Sequence, residues 1–339
     1  MPNPVRTPLT RLGLQINSFT WPDIPDSEMF SRTAEIARTA ERSGFDSVWV
    51  MDHFYQIRVN GHRTEPMLEA YTLLAGIAAR TEHVSLGGMV TGVTYRNPAL
   101  LAKTVTTLDI VSQGRAILGI GAAWNDDEHA GYGFEFPPLK ERFERLEDAL
   151  QICGEMFRNP ESTVEGRHYH TNGALNLPQP IRPGGPPILI GGSGEKKTIP
   201  LVARYADACN FFGDVPTIEH KLQVLDDRCT DVGRDSADIT KTRLGAVVIG
   251  DTHEQAVAKA EEITRRRGLD PAYARSYIVG DADGVAEQVA AFLDAGLDGM
   301  IISCPDAHEL EPVERVGEAL FGLMTERGLS LPDDAGVAR

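Results

Sequence analysis

The sequence is poor in cysteine and has no C-x-x-C pair. Its four cysteines, Cys153, Cys209, Cys229 and Cys304, are scattered along the chain. That spacing supports neither a zinc site nor a disulfide framework, and no metal is expected. A reducing cytoplasm fits this usage. No stretch approaches about 18 consecutive apolar residues, so neither a transmembrane helix nor a membrane partner is expected. The opening MPNPVRTPLTRLG has no apolar core of signal-peptide length. Positive charge is also in short supply. Lys and Arg number 33 against 49 Asp and Glu, a formal net charge of -16. Such a surface repels nucleic acid and anionic lipid, which excludes both as expected partners. Cation binding does not follow from it, because a solvated acidic surface explains the same numbers.

What the chain does have is alternation. Apolar strand-like runs appear at 11–17 (RLGLQIN), 47–51 (SVWVM), 84–90 (VSLGGMV), 115–121 (RAILGIG), 187–191 (PILIG), 207–212 (DACNFF), 242–250 (TRLGAVVIG) and 298–303 (DGMIIS). Amphipathic helix-like segments separate them, at 26–44, 68–80, 97–114, 138–157, 195–205, 216–232, 253–267, 285–296 and 308–327. Continuous apolar strands imply a parallel sheet covered on both faces. Eight strand–helix units in 339 residues favour an α/β fold of the closed (β/α)8, or TIM-barrel, type. An open doubly wound sheet is the alternative. No linker divides the chain, so one domain over 1–339 is expected. Its insertions are read near 122–136, 162–186 and 268–283.

In such a barrel the loops after the strand C-termini build the active site. The second of these holds Asp52, His53, Tyr55, Arg58, His62, Arg63 and Glu65, and the third holds Thr91, Thr94, Tyr95 and Arg96. The fourth holds Trp124, Asn125, Asp126, Asp127, Glu128 and His129. An imidazole titrates near neutrality, so His53, directly after Asp52 at a strand end, is a candidate proton carrier. Glu128 and His129 read instead as part of a solvated acidic loop. Tyr132, Phe134 and Phe136 read as packing for an insertion. His168 and His170 read as alternate residues of a hairpin strand.

The fifth loop, GGSGEKK at 191–197, puts Gly191, Gly192, Ser193 and Gly194 between a strand and a helix. Lys196 and Lys197 are expected in the first helical turn. Glycines admit close approach of backbone N–H groups to an anion, and a helix N-terminus favours negative charge. The same glycines also suit a tight βα turn with no ligand. Neither a Walker spacing nor G-x-G-x-x-G is present. In GGMVTG (87–92) the strand glycines suggest a bulge or a close approach to a ligand.

GFDSVWVMDHF, TGVTYRNPALLAKTVTTLDIVSQGRAILGIGAAW and PPILIGGSGEKKTIPLVARYADACN together resemble the bacterial luciferase-like superfamily. The likeness is greatest to its deazaflavin branch, which uses coenzyme F420, and it runs from about residue 11 to 325. The resemblance implies a barrel, commonly dimeric, with a flavin or deazaflavin ring at the mouth. It implies a cis peptide at Met89–Val90 bulging against that ring, with Asp52 and Thr91 beside it. It gives the cofactor phosphate to the turn from Gly191 to Gly194 with Lys196, and acid/base work to His53 with Asp52. FMN is the alternative cofactor, in a monooxygenase using O2. A non-catalytic cofactor-binding barrel is a further alternative.

Sugar-phosphate dehydrogenases of this group carry a glutamate where GIGAAW has Trp124. That departure points to an apolar or aromatic small-molecule substrate, met by Trp124, Tyr55 and Asn125. An anionic cofactor would need a basic rim, expected from Arg58, Arg63, Arg96, Lys196 and Lys197.

Overall fold

The computed structural model describes residues 9–327. Eight strands carry the fold: β1 (Leu12–Ile16), β2 (Ser47–Val50), β3 (Ser85–Gly88), β4 (Ala116–Gly121), β5 (Ile188–Gly191), β6 (Ala208–Phe211), β7 (Thr240–Ile249) and β8 (Gly299–Ser303). Each falls on one of the apolar runs. Consecutive strands pair in parallel all the way round. β8 then returns to β1, with Leu12 opposite Met300 and Leu14 opposite Ile302. That last pairing closes the barrel and removes the open-sheet alternative.

Ten α-helices accompany the strands among the described residues. They are α1 (Met29–Arg42), α2 (Ala70–Ala78), α3 (Pro98–Val111), α4 (Asp126–Tyr132), α5 (Leu139–Arg158), α6 (Thr198–Tyr205), α7 (Val215–Asp231), α8 (His253–Arg266), α9 (Ala282–Asp294) and α10 (Glu311–Glu326). Local chemistry sets their ends. Asn97 caps α3 by accepting from the Ala99 N–H, and Pro98 occupies the first turn, where a missing N–H matters least. None of the helices is long and apolar enough to cross a membrane.

Strand residues alternate between two cores, as the period of two requires. Val48 and Val50 face the helices, while Trp49 turns inward with Met89, Ile117, Leu189, Ala208 and Ile301. Trp49 is wholly buried and fills the barrel. The strand glycines make room for it. A Cβ at Gly87 would sit 2.6 Å from its ring, and one at Gly13 2.7 Å from its Nε1. Gly87 is therefore required by interior packing, while the irregularity expected from GGMVTG falls after Gly88, where the strand breaks at Met89–Val90 before Thr91–Gly92 resumes pairing.

Several local expectations need correction. The stretch 122–136 is not all loop, for it contains α4. Asn125 precedes this helix, Asp126, Asp127 and Glu128 fill its first turn, and Gly133 ends it at φ 71°. Acidic residues suit a helix N-terminus and glycine suits a left-handed stop, so the signals were present. α6 starts only at Thr198, which leaves Lys196 and Lys197 in the turn before it. The excursion after α8 folds into a 3-10 turn (Pro271–Ser276) and a short strand (Ile278–Gly280) beside the outer end of β7. The 162–186 insertion opens with an antiparallel hairpin, Glu161–Glu165 with His170–Leu175. His168 lies in its turn and bonds Glu144, so it does not alternate with His170 along a strand.

Candidate active site

A cavity of about 630 Å³ opens at the strand C-termini. Among its lining residues are Asp52, His53, Met89, Val90, Thr91, Trp124, Gly191 and Gly192. Ser193, Gly194, Lys196, Tyr55 and Asn125 lie outside that lining. The Ser193 hydroxyl accepts from the Phe212 N–H at 3.1 Å. The Tyr55 ring packs on Tyr132 and beneath the Arg63 guanidinium. The Asn125 carbonyl is held by His129 Nδ1.

The lower edge of the cavity is a ledge formed by Met89 and Val90, joined by a cis peptide bond. Gln15 Nε2 donates to the Met89 carbonyl at 3.3 Å. Val90 is wedged between two strands, because a Cβ at Gly121 or Gly191 would come 2.9 or 2.8 Å from its methyls. Glycine is needed at both places for this close approach.

One wall is built around two carboxylates. Asp52 is buried at the end of β2 and takes a two-pronged contact from Arg96, at 2.8 and 3.0 Å, and the Gly92 N–H at 3.1 Å. Burial lifts its carboxyl above the usual range, while Arg96 and the Gly92 N–H pull the other way. Burial would lower Arg96, but Asp52, Tyr71 and Glu69 together more than offset that and raise it. Arg96 also reaches Glu69 at 2.5 Å and lies over the Tyr71 ring. Its charge is thus neutralised, and it does not serve as a free basic rim. Arg63 is likewise committed, to Asp127.

Glu128 is the second carboxylate, and it is 0% exposed. Its Oε1 accepts from the N–H groups of Phe54 at 2.6 Å and Tyr55 at 2.9 Å. Its Oε2 lies 2.8 Å from His53 Nδ1 and 2.7 Å from the Tyr95 hydroxyl. Burial would raise its pKa, but His53, the Tyr55 N–H and Tyr95 together hold it below the usual value. An ionised Glu128 can only accept, so the shared proton sits on Nδ1 and Nε2 is the nitrogen left to exchange a proton with the cavity. The Trp124 ring meets His53 edge-on at 5.4 Å and is 61% exposed at the rim.

Glu128 and His129 are therefore not a solvated loop face. His129 is also buried, bonded to the Thr94 hydroxyl and the Asn125 carbonyl at 2.6 Å each. Tyr132 stacks on Phe54, and Phe134 packs at a tilt against Phe54 and Tyr95, the residues whose N–H and hydroxyl bond Glu128. This agrees with their reading as packing for the insertion.

The opposite wall comes from β6, β7 and the segment after α8: Asn210, Phe212, Arg243, Arg267, Tyr273 and Tyr277. Sequence reasoning read 268–283 as an insertion but singled out none of these residues. The available signal was a polar residue, Asn210 or Arg243, inside an otherwise apolar barrel strand. Among the described residues, no cluster of three or more His, Cys, Asp or Glu could hold a metal.

A closed eight-stranded parallel barrel with a cavity at its strand C-termini defines a (β/α)8 enzyme-type architecture. The profile of the luciferase-like monooxygenase family matches residues 10–275, and the chain belongs to that family. It is 32% identical over 304 residues to the F420-dependent glucose-6-phosphate dehydrogenase of Nocardia farcinica, covering 80% of this chain and 87% of that one. It is 29% identical over 307 residues to the enzyme of the same name from Amycolatopsis mediterranei, covering 82% and 89%. Among solved structures, an F420-dependent secondary alcohol dehydrogenase with an F420-acetone adduct superposes at TM-score 0.77 and 19% identity, over 91% of this chain and 98% of that one. A riboflavin lyase with modified FMN superposes at 0.79 and 18%, over 97% and 94%. At these identities the two structures speak for the fold alone.

Proposed function

We propose that the chain is an F420-dependent oxidoreductase acting on a small organic substrate, with His53 as the proton carrier. The observation that carries this reading is the bond from His53 to buried Glu128 on the same cavity as the Met89–Val90 ledge. The similarity to F420-dependent dehydrogenases over four-fifths of the chain supports the choice of cofactor.

The residues fit a deazaflavin. The ledge offers a flat apolar seat, and Gly121 and Gly191 leave the strands no bulk beneath it. Asp52, Thr91, Gly191 and Gly192 line the same cavity as the ledge, which supports reading the two glycines as the exit for the cofactor's chain. In our reading the turn from Gly191 to Gly194, with Lys196 on its outer side, holds the phosphate. When bound, the cofactor exchanges a hydride at C5 of its ring. The protein does the rest. Glu128 keeps the proton on His53 Nδ1, and His53 Nε2 takes a proton from the substrate or returns one, according to direction. Arg96 holds Asp52 and through it the β2 end. Trp124 screens His53 from water and offers an aromatic face, so we read the substrate as apolar or aromatic where it meets that ring. The named relatives act on glucose 6-phosphate, and Trp124 stands where the resemblance places a glutamate in such enzymes. A single barrel domain, a homodimer and a cytoplasmic location complete this reading.

The test is a titration of the purified protein with F420 and with FMN, followed by absorbance and fluorescence. Micromolar binding of F420, with turnover of a reducible substrate by its reduced form, is expected. Tight FMN binding with no response to F420 would overturn the assignment in favour of a flavin monooxygenase.

A further inference from the structure

Three buried polar atoms without a hydrogen-bond partner belong to residues that line one side of the cavity. They are Arg243 Nη1, the Tyr277 hydroxyl and Asn210 Oδ1. Buried polar atoms are almost always paired, and an unpaired donor on a charged group is the most unfavourable of all. Three on one face of one cavity call for a common explanation.

The guanidinium is held firmly. Its Nε donates to the Gly213 carbonyl at 2.8 Å, and its plane lies over the Phe292 ring at 4.2 Å. A Cβ at residue 245 would run into Nη1, so Gly245 is what leaves the space open. Among the described residues no carboxylate is paired with it, and burial lowers its pKa. Asp214 is the acidic group whose charge it feels, but that side chain caps α7 through Thr217. Asn210 is equally determined. The Thr242 hydroxyl gives its one proton to the Cys209 carbonyl at 2.8 Å, so toward Asn210 it can only accept. Asn210 Nδ2 must be the donor to it, at 3.0 Å, which leaves Oδ1 as the free atom. The wall therefore presents a fixed cationic donor, a phenolic donor and one acceptor. Arg267 adds a second cation on the same lining.

We propose that Arg243 and Tyr277 form an oxyanion-binding pole, taking a carboxylate or phosphate group of a ligand, while Asn210 accepts from a hydroxyl or N–H beside it. An arginine fork suits a planar or tetrahedral oxyanion. In a chain with net charge -16, a local pole of this kind is the means of admitting an anion. The acidic group has two possible sources, the substrate or the tail of the cofactor. In either case the pole extends the oxidoreductase reading and rests on it for the identity of the ligand.

Two measurements test it. The first needs no cofactor: the thermal midpoint is followed against inorganic phosphate, with chloride at matched ionic strength as reference. Phosphate is expected to stabilise the parent protein. The apparent affinity should weaken about ten- to a hundredfold in Arg243→Gln. Tyr277→Phe, which removes one unpartnered hydroxyl and leaves the fold intact, should weaken it about three- to tenfold. Arg158→Gln and Arg182→Gln, at a cleft on the opposite end of the barrel, should leave the response unaltered. An absent response in the parent, or an equal response in Arg243→Gln and Tyr277→Phe, overturns the pole.

The second compares binding of F420 with binding of its ribityl chromophore lacking phosphate and glutamates. If Arg243→Gln abolishes the preference for F420, the pole serves the cofactor tail. If the preference persists while the phosphate response is lost, the pole serves the substrate. Failure of both deazaflavins to bind the parent defeats the oxidoreductase reading but leaves the phosphate result standing.

Discussion

The two walls of the cavity differ in how completely their polar groups are satisfied. On the His53 side, Asp52, Glu128, Arg96 and Tyr95 all find protein partners, and Glu128 alone takes four contacts. On the Arg243 side, three buried atoms have none. A saturated network is stiff and holds a reacting group in place. An unsaturated one is poised for something that arrives. The difference separates a wall organised for chemistry from a wall organised for recognition, and each can be broken independently.

The largest effect is expected at His53. His53→Ala should lower kcat by about 10²- to 10⁴-fold at saturating cofactor, the usual scale of general acid–base catalysis, with cofactor affinity changed far less. Steady-state kinetics beside a binding titration checks it. Full turnover in the variant would move the chemistry off the saturated wall.

Arg96→Met strands Asp52 in a buried site, which should destabilise the fold by about 3–5 kcal/mol in urea at neutral pH. Asp52 already sits above its ordinary value. A group whose folded pKa is raised stabilises the fold as pH falls through that value. The deficit should therefore shrink on acidification, and Asp52→Asn added to Arg96→Met should recover much of it.

Glu128→Gln removes a charged partner from His53. Losing about 1.5–3 kcal/mol of orientation should lower kcat about ten- to a hundredfold. Glu128 is held below 4.5 in the fold, so its contribution to stability is full above that pH and is lost as pH falls below it. Unfolding curves between about pH 3 and 6 should be less steep in acid for the variant than for the parent. The smallest effect is at the exposed rim. Trp124→Ala should raise KM by about tenfold or less, because a half-wet ring loses only part of its contact area. A collapse of kcat instead would show that Trp124 belongs to the saturated wall.

Much of this architecture was legible from residue pattern. The eight apolar runs mark the eight strands, and Asp52, His53, Met89, Val90, Thr91 and Trp124 reach the cavity because strand ends do so in a barrel. Other elements were misread for a common reason. Asp126 to His129 look like solvated acidity because polarity is a local property and burial is not. Only the β2 loop and Tyr95, packed around it in the fold, make Glu128 a buried acceptor. The expected basic rim failed similarly at Arg63 and Arg96, whose partners lie 64 and 44 residues away. Lys196 was placed a turn too deep, since glycine-rich βα turns do not announce where the first helical bond forms.

By itself the sequence determined the strand count, the closed barrel they favour, and the end of it where chemistry should gather. Those follow from periodicity, which short segments carry on their own. Only the tertiary structure decided which charges are paired and which are left open. Glu128 meets His53 across 75 residues. Asn210 and Arg243 come from separate strands, and only the pairing of β6 with β7 sets them side by side. Pairing depends on what packs over a group, and packing is a property of the whole fold.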